Sequence, residues 1–415
     1  MKKLLMLGGS SSQVIAIKKA KEMGYYVVTT DYLENNPGHQ FSNEYHNVST
    51  TDKEAILKLA KSLHIDGVVC YISDPGIPTA AYVSEELKLS SFPYKSVEIL
   101  SNKDMFRSFL KENNFNVPQA KGYATLDEAK VDFHTFTMPV MIKPIDSSES
   151  RGVSKIGSIE LLPEKVKDAL SYSRAKRFII EEYVERQGYQ IGGECFFVNG
   201  KLSFSKLVNN HFEKKSFNPF LPTGESWPCN LPTQLQEKIH SEIQRLMNLL
   251  NMKTGPLIFE VQVDYKENVY ILDIGARNSG DLTQVIEHVE GIDLIGYTIK
   301  AALDEDCSDL KMVEPSGYWA IYTLISQKAG LFKGIEIEKN FQRNYLVKYM
   351  EFSSSSGTAV KINESLGTIL LRFSSMAEML EKMDNMANWV KINIVEENID
   401  SKVSNACLLS LQNNK

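Results

Sequence analysis

The chain contains the segments FEVQVD at residues 259–264 and VYILDI at residues 269–274, in which polar and apolar side chains alternate. This period of two predicts two half-buried strands joined by a turn at residues 265–268. If the strands pair symmetrically about that turn, Glu260 lies directly opposite Asp273, with Cβ atoms roughly 4.5 to 5.5 Å apart. Two carboxylates so close repel each other unless one is protonated or a cation lies between them.

Carboxylate oxygens in such a pair suit Mg²⁺, which proteins often hold jointly with the phosphates of a substrate. The hairpin therefore points to nucleotide chemistry. Taken alone, it could equally be the solvated acidic face of a sheet, because exposed charges are common and cost little. The rest of the chain has to decide between these two interpretations.

Length and composition exclude several classes of protein. The 415 residues exceed one ordinary domain, and 43% hydrophobic with 24% charged residues is typical of a soluble globular protein. The net charge of -6 argues against nucleic acid as a partner. No apolar segment is long enough to span a bilayer, and the five cysteines are scattered without CxxC spacing. We therefore expect a cytoplasmic protein with reduced thiols and no membrane partner.

Residues 1–95 alternate strand and helix signals, which predicts an N-terminal domain with a doubly wound parallel sheet. Ligands of such sheets bind beyond the carboxyl ends of the strands. The sequence places Ser10, Ser11 and Asp74 at such ends, so we expect these residues in loops that face the substrate. The GxGxxG spacing of dinucleotide-binding domains is absent, which makes a nicotinamide dehydrogenase the weakest hypothesis.

Residues 96–308 carry charged side chains at the ends of predicted strands. A helix begins near Lys103, and the strand at 140–144, which contains Lys143, leads into a loop of small and polar residues. The two lysines could bracket a triphosphate while the loop folds over it. An irregular segment is expected at 209–232, and residues 309–415 read as short strands with one helix. A surface lysine or glutamate is usually only a solvated charge, so the order of these residues carries more information than any one of them.

Motifs at strand ends and loops follow one another in the order PVMIKP (139–144), SRGV (150–153), EEYV (181–184) with Glu194, FE (259–260) and DIGAR (273–277). In this order the chain resembles the ATP-grasp superfamily. The resemblance is to carboxylate-amine ligases such as the L-amino acid ligases, and to the ATP-grasp enzymes related to carbamoyl-phosphate synthase and biotin carboxylase. It covers about residues 1–305.

The resemblance implies a fold that mixes α/β and α+β parts. Residues 1–95 would form the Rossmann-like pre-ATP-grasp domain with its doubly wound parallel sheet, and residues 96–308 the ATP-grasp domain. Within the latter, a lid subdomain would span about 120–185 and a phosphate- and metal-binding subdomain about 186–308. Residues 309–415 would form a small C-terminal α+β domain.

The resemblance also implies roles for individual residues. Arg277 and Lys143 would be catalytic, and Glu260 and Asp273 would bind Mg²⁺, with Mn²⁺ as an alternative. Lys103 and Lys143 would bind the α- and β-phosphates of ATP, and the loop with Ser150 and Gly152 would cover the β- and γ-phosphates. Adenine would be bound by Glu181 and by the backbones of Glu182 and Val184. Glu194 would bind the ribose. By their location in the N-terminal loops and after the metal strand, and not by the resemblance, the residues expected to contact the substrate are Ser10, Ser11, Asp74, Arg277, Asn278 and Ser279.

The chain departs from the family pattern at two positions. Many members carry Glu-x-Asn-x-Arg where this chain has DIGAR at 273–277, so Gly275 stands in place of the usual Asn metal ligand. The phosphate loop has Glu149 where glycine is common, which adds a negative charge beside the phosphates and restricts the backbone.

The implied activity is that of an ATP-dependent carboxylate-amine ligase. A small-molecule carboxylate would attack ATP to give an acyl phosphate, an amine would displace phosphate, and ADP would be released with the new amide or peptide. A homodimer is also expected from the resemblance. Two alternatives stay open: an ATP-grasp enzyme that uses bicarbonate or a purine or sugar precursor, and a nucleotide-binding sensor without catalysis, which Gly275 and Glu149 would favour.

Overall fold

The computed structural model describes residues 1–213, 216–350 and 355–395. The strands are β1 (Lys3–Leu7), β2 (Tyr26–Thr30), β3 (Glu44–His46), β4 (Gly67–Val69), β5 (Ala120–Tyr123), β6 (Val140–Pro144), β7 (Ser154–Ile156), β8 (Phe178–Glu182), β9 (Gln190–Val198), β10 (Lys201–Phe212), β11 (Pro222–Trp227), β12 (Gly255–Val263), β13 (Val269–Gly275), β14 (Tyr318–Ile325), β15 (Gly330–Ile337), β16 (Leu346–Met350), β17 (Ala359–Val360), β18 (Ser365–Phe373) and β19 (Val390–Val395).

The helices are α1 (Val14–Glu22), α2 (Lys53–Leu63), α3 (Ile77–Glu86), α4 (Tyr94–Leu100), α5 (Lys103–Glu112), α6 (Leu126–Asp132), α7 (Leu162–Tyr172), α8 (Thr233–Leu249), α9 (Asp281–Glu290), α10 (Leu294–Ala302), α11 (Lys339–Tyr345) and α12 (Met376–Met383). Within the described ranges, every helix is too short or too polar to span a bilayer. The chain divides into two compact units, residues 1–210 with 227–316, and residues 211–226 with 317–415. The three-part division expected from the sequence stays a prediction.

The first unit begins with a parallel sheet of order β3-β2-β1-β4. Strand β1 pairs in register with both β2 and β4, and its residues Leu4 to Leu7 are buried. Helix α2 starts at Lys53 because the Asp52 side chain accepts a hydrogen bond from the Ala55 backbone N–H. This α/β sheet confirms the predicted fold class, and it places the loops after β1 and β4 at one edge of the sheet.

Two antiparallel sheets follow in the same unit. The first has the order β5-β8-β6-β7, and helices α6 and α7 supply buried residues to its core. Helix α6 opens with a capping box, in which Thr125 and Glu128 bond to each other's backbone N–H groups. The second contains β13, β12, β9 and β10 as neighbours in that order. Its apolar face shares the largest core with helices α3, α4, α5 and α8.

The second unit is antiparallel. Strand β14 pairs with β18, β18 with β16, and β15 with both β17 and β19. Two expectations were wrong here. This region has two helices, α11 and α12, where the sequence predicted one, and the segment 209–232 contains the end of β10 and all of β11 where an irregular loop was expected. Their short lengths and mixed polarity hide them from pattern analysis. Cys407 lies outside the described residues.

Candidate active site

The carboxylate pair of the hairpin is formed as predicted. In the register of β12 and β13, Glu260 lies opposite Asp273. The pairing near the turn is shifted by one residue from the symmetric arrangement, since Val263 pairs with Val269, and a β-bulge between Glu260 and Val261 restores the alignment. The two carboxylates therefore point to the same face of the sheet.

The environments of the two carboxylates differ. Burial raises the pKa of Glu260, and the neighbouring charge of Asp273 raises it further. Burial also acts to raise the pKa of Asp273, but Lys103 outweighs this effect and lowers it. Lys103 Nζ lies 3.0 Å from Asp273 Oδ2 and 3.3 Å from the Ser147 carbonyl oxygen. The lysine thus places a positive charge beside the pair.

Glu260 and Asp273 can bind a divalent cation only if a bound phosphate or water supplies the remaining oxygen ligands. Glu260 and Asp273 supply hard oxygens side by side, which suits Mg²⁺. Across the described residues, no three His, Cys, Asp or Glu side chains cluster as a metal site made of protein alone would need. Nor does Gly275 leave room for a third ligand, because a Cβ there would lie 2.8 Å from Ile258 Cγ1. Any Mg²⁺ at this pair would have to complete its shell from a bound phosphate or from water.

A second charged cluster involves Glu181, at the end of β8. Its carboxylate pairs with Lys143 and with Arg107, whose Nε lies 2.8 Å from Glu181 Oε2. Burial would raise the pKa of Glu181, but the two cations outweigh it and lower the pKa to about 2. Lys143 also contributes to the potential at Glu260 and Asp273. The structure therefore brings the predicted residues Lys103, Lys143, Glu181, Glu260 and Asp273 into one electrostatic cluster.

Arg107 is a member of this cluster that sequence reasoning missed. It is 3% exposed, and its Nη2 donates to the Leu272 carbonyl oxygen at 2.7 Å, next to Asp273 in the bulged part of β13. Its Nη1 is buried without a hydrogen-bond partner among the described residues. A signal was present in the sequence: Arg107 follows Lys103 by four residues, which places both on one face of α5.

We predict that Arg107→Met lowers the free energy of unfolding by about 3–5 kcal/mol, because it removes one partner of a buried ion pair and a donor to Leu272. Urea denaturation of both proteins would measure this. The matched control is Arg174→Met, which removes an exposed arginine that pairs with Asp146 at the surface, and its expected effect is within about 0.5 kcal/mol. Equal effects of the two substitutions would show that the buried network adds nothing to stability.

The phosphate loop has a constrained backbone. Glu149, Ser150 and Gly152 all have positive φ, at 55°, 52° and 70°. Only glycine adopts this region without cost, so two successive residues of other types there are strained. A side chain at Gly152 would press on α7, with a Cβ 3.1 Å from Ala169 Cα. The side chain of Glu149 is exposed and lies 3.4 Å from Arg151, which offsets its charge.

The predicted adenine contacts lie at the end of β8. The Glu182 backbone N–H donates to the Gln119 carbonyl oxygen at 2.9 Å, and its side chain accepts from the Thr137 N–H at 2.7 Å. Val184 follows the strand and is half-buried. The Glu182 N–H is therefore already occupied, as is the N–H of Tyr183, which donates to the Pro139 carbonyl oxygen at 3.0 Å.

The structure does not fit the ribose role expected for Glu194. This residue is 0% exposed, and both of its oxygens are occupied: Oε1 accepts from Asn278 Nδ2 at 2.9 Å and Oε2 from Thr283 Oγ1 at 2.7 Å. Asn278 is 1% exposed, so its side chain is not placed for the predicted substrate contact either. Ser279 is half-buried, and its backbone N–H acts to lower the pKa of Glu194.

We predict that Glu194 makes the protein less stable as the pH rises. Burial raises the pKa of this carboxyl to about 7, above the ordinary value of 4.5. The folded state therefore holds a proton that the unfolded state releases, and stability falls as the pH rises between these values. Between pH 5 and pH 8 the wild type should lose about 2–3 kcal/mol more than Glu194→Gln, as measured by urea denaturation at each pH. Parallel pH profiles for the two proteins would contradict the shift.

Arg277 is held by Asp74. Its Nε lies 2.5 Å from Asp74 Oδ1 and its Nη2 2.8 Å from Oδ2, a bidentate pair that fixes the plane of the guanidinium. The charge of Asp273 also acts on Arg277. Ser10 bonds to Gln13, and Ser11 is exposed. Of the residues predicted to face the substrate, the described structure thus connects Asp74 directly to Arg277, whereas it shows no bond from Ser10 or Ser11 to that pair.

Comparison with known proteins gives a family for this site. Residues 136–285 match the model of the ATP-grasp domain. Formate-dependent phosphoribosylglycinamide formyltransferase of Prochlorococcus marinus subsp. pastoris is 25% identical over 352 residues, which are 81% of this chain and 86% of the relative. The large chain of carbamoyl phosphate synthase of Thermoanaerobacter sp. is 24% identical over 61% of this chain, but the match spans only 23% of that relative.

A solved structure shows the same fold over nearly the whole chain. L-amino acid ligase from Bacillus licheniformis superposes with a TM-score of 0.78 at 20% sequence identity, and the match covers 95% of this chain and 99% of the ligase. At this identity the likeness establishes the fold. Residues 136–285 thus match the ATP-grasp domain that the sequence motifs indicated, and the chain shares the fold of this ligase over nearly its whole length.

Proposed function

We propose that the protein is an ATP-dependent carboxylate-amine ligase that releases ADP and phosphate. The observation that carries the proposal is the cluster in which Lys103, Lys143, Glu260 and Asp273 share one electrostatic environment. Such a cluster can neutralise a triphosphate and the charge that develops during phosphoryl transfer. The relatives support the chemistry, since the formyltransferase is named for formate, a carboxylate, and for a glycinamide nucleotide.

The two lysines would bind the phosphates of ATP. In the structure each is neutralised by a carboxylate, Lys103 by Asp273 and Lys143 by Glu181. An incoming triphosphate can share these cations. The loop with Ser150 and Gly152 would cover the β- and γ-phosphates, and the backbone at Glu182 and Val184 would border adenine. Closure of that loop would exclude water, which otherwise hydrolyses an acyl phosphate.

Glu260 and Asp273 would hold Mg²⁺, or Mn²⁺, together with the phosphates. The bound ion would neutralise the charge on the β- and γ-phosphates. The carboxylate oxygen of the substrate then forms a bond to the γ-phosphorus, and ADP leaves. An amine attacks the carbonyl carbon of the acyl phosphate, loses a proton, and displaces phosphate. Arg277 would stabilise the transferring group through its planar set of N–H donors.

The substrates are proposed as a small carboxylic acid and a small amine, which Asp74, Arg277 and Ser279 would contact. Ser10 and Ser11 would line the outer part of that pocket. We place the enzyme in the cytoplasm, because the four described cysteines are free thiols and ATP is available there. A homodimer stays a prediction from the sequence.

The first test is ADP release from ATP and Mg²⁺ by the purified protein, with pooled carboxylates and pooled amines, each omitted in turn. The proposal requires release that depends on both pools. Release that needs carboxylates or bicarbonate but no amine would favour the alternative acceptors. ATP binding without any release would favour the sensor, and release independent of every addition would contradict the ligase.

A further inference from the structure

Glu194 is a buried carboxylate beneath the segment that follows the metal strand. It accepts hydrogen bonds from Asn278 Nδ2 at 2.9 Å and from Thr283 Oγ1 at 2.7 Å, and the Ser279 backbone N–H acts to lower its pKa. These three residues all belong to residues 278–283, so Glu194 holds this one segment through two hydrogen bonds. The residue next to that segment in the chain is Arg277.

A structural carboxylate at this depth would be expected to have a cationic partner, because burying an unpaired charge is costly. Lys206 lies directly opposite Glu194 in the register of β9 and β10. That lysine nevertheless pairs with Glu290, and among the described residues no Lys or Arg forms an ion pair with Glu194. Its hydrogen bonds run to Asn278 and Thr283, and burial without a cationic partner raises the pKa of this carboxyl to about 7.

The same segment is fixed from its other side. Thr298, on α10, donates its hydroxyl to Asn278 Oδ1 at 2.9 Å. Within the segment, the Gly280 N–H donates to Thr283 Oγ1 at 3.1 Å. Asn278 thus bridges Glu194 on β9 and Thr298 on α10, which leaves its backbone little freedom. Its carbonyl oxygen accepts from Arg277 Nη1 at 2.9 Å, so the guanidinium is attached directly to the clamped residue.

We propose that Glu194 is a positioning residue that holds residues 278–283 so that the Arg277 guanidinium keeps its place at the reacting phosphoryl group. The inference rests on the proposed function for the role of Arg277, whereas the clamp itself is a property of the fold. A structural clamp on a catalytic arginine affects the rate of the chemical step more than the binding of ATP. In this arrangement Glu194 acts on Arg277 through residues 278–283.

The test substitution is Glu194→Gln, assayed at pH 8, above the pKa of about 7, so that the wild-type side chain is a carboxylate. Gln keeps the shape of the side chain but presents a donor where Asn278 or Thr283 already donates. We expect kcat to fall by about 10- to 100-fold, and the KM for ATP to change by less than about threefold. Glu194→Asp, which retains both acceptor oxygens, should restore part of the loss. Thr298→Val removes the hydrogen bond from Thr298 to Asn278 and should also lower kcat. This variant replaces Glu194→Gln in the test if Glu194→Gln does not fold.

Glu290→Gln is the matched control, because it neutralises another buried carboxylate of the same unit that bonds to Lys206 and not to residues 278–283. A double substitution separates positioning from general damage. In the Arg277→Lys background, Glu194→Gln should lower kcat by less than about twofold, because both changes act through one guanidinium. A full further loss, or an equal loss in Glu290→Gln, would overturn the proposal.

Hydrogen exchange tests the clamp without any activity assay. The backbone amides of Ser279 and Gly280 should exchange at least about tenfold faster in Glu194→Gln than in Glu290→Gln or the wild type. Unchanged exchange rates in Glu194→Gln would overturn the proposed clamp, whatever the effect of the substitution on turnover. If the amides exchange faster in Glu194→Gln but the wild type shows no turnover, the clamp is supported and the proposed ligase is rejected. The two failures are therefore distinguishable.

Discussion

Asp273→Asn should lower kcat for ADP release by about 10²–10³-fold while the protein stays folded, because it removes one of two charges that would hold Mg²⁺. The fall in kcat should be larger than is usual when one metal ligand is replaced, because Gly275 leaves no room for a third protein ligand. Asn keeps the shape of the side chain, and circular dichroism should not change. Steady-state kinetics at several Mg²⁺ concentrations would measure the effect, and partial recovery at high Mg²⁺ is expected.

The matched control is Glu267→Gln, which neutralises an exposed carboxylate at the turn of the same hairpin. It should leave kcat within about twofold of the wild type, because exposed charges at this distance are screened. Wild-type turnover in Asp273→Asn at ordinary Mg²⁺ would reject Asp273 as a metal ligand. A similar loss in both variants would point to damage to the hairpin as a whole.

Arg277→Lys should lower kcat by about 10²–10³-fold and change ATP affinity by less than about threefold. Lysine keeps the charge but loses the planar set of donors, and its single nitrogen cannot make both bonds to Asp74 that the guanidinium makes. Rapid-quench kinetics would measure the chemical step, and nucleotide titration would measure binding.

Arg343→Lys is the control for that substitution, because Arg343 is exposed in the other unit and contacts Asn340. It should behave as the wild type. If Arg277→Lys weakened ATP binding in proportion to kcat, Arg277 would be a nucleotide-binding residue, and the proposed role at the transferring phosphoryl group would be wrong.

The sequence predicted the parts of the site that depend on periodicity and local chemistry. Alternation in the hairpin placed Glu260 opposite Asp273, and the structure has that register. It could not predict the bulge at Leu272, because a bulge depends on what packs against the strand, here the Arg107 side chain. The order of the motifs also predicted the ATP-grasp fold, and the match of residues 136–285 to the ATP-grasp domain confirms it.

The errors concern burial and long-range partners. Glu194 and Asn278 were expected at the ligand, but they lie buried and bonded to each other across 84 residues of chain. A polar residue in a strand gives no local sign of which face is covered by a distant segment. Arg107 was missed for the same reason, since its partner Glu181 is 74 residues away.

The proposed ligase requires that a carboxylate attack ATP at the Glu260 and Asp273 site. Transfer of ¹⁸O from labelled carboxylates to phosphate would detect this attack, once the productive pool has been found. An acyl-phosphate mechanism predicts that each phosphate released carries one ¹⁸O atom from the acid, and that Asp273→Asn loses the labelled product in proportion to ADP. Unlabelled phosphate, formed at the same rate as ADP, would rule out the acyl phosphate, because its oxygen would then come from water.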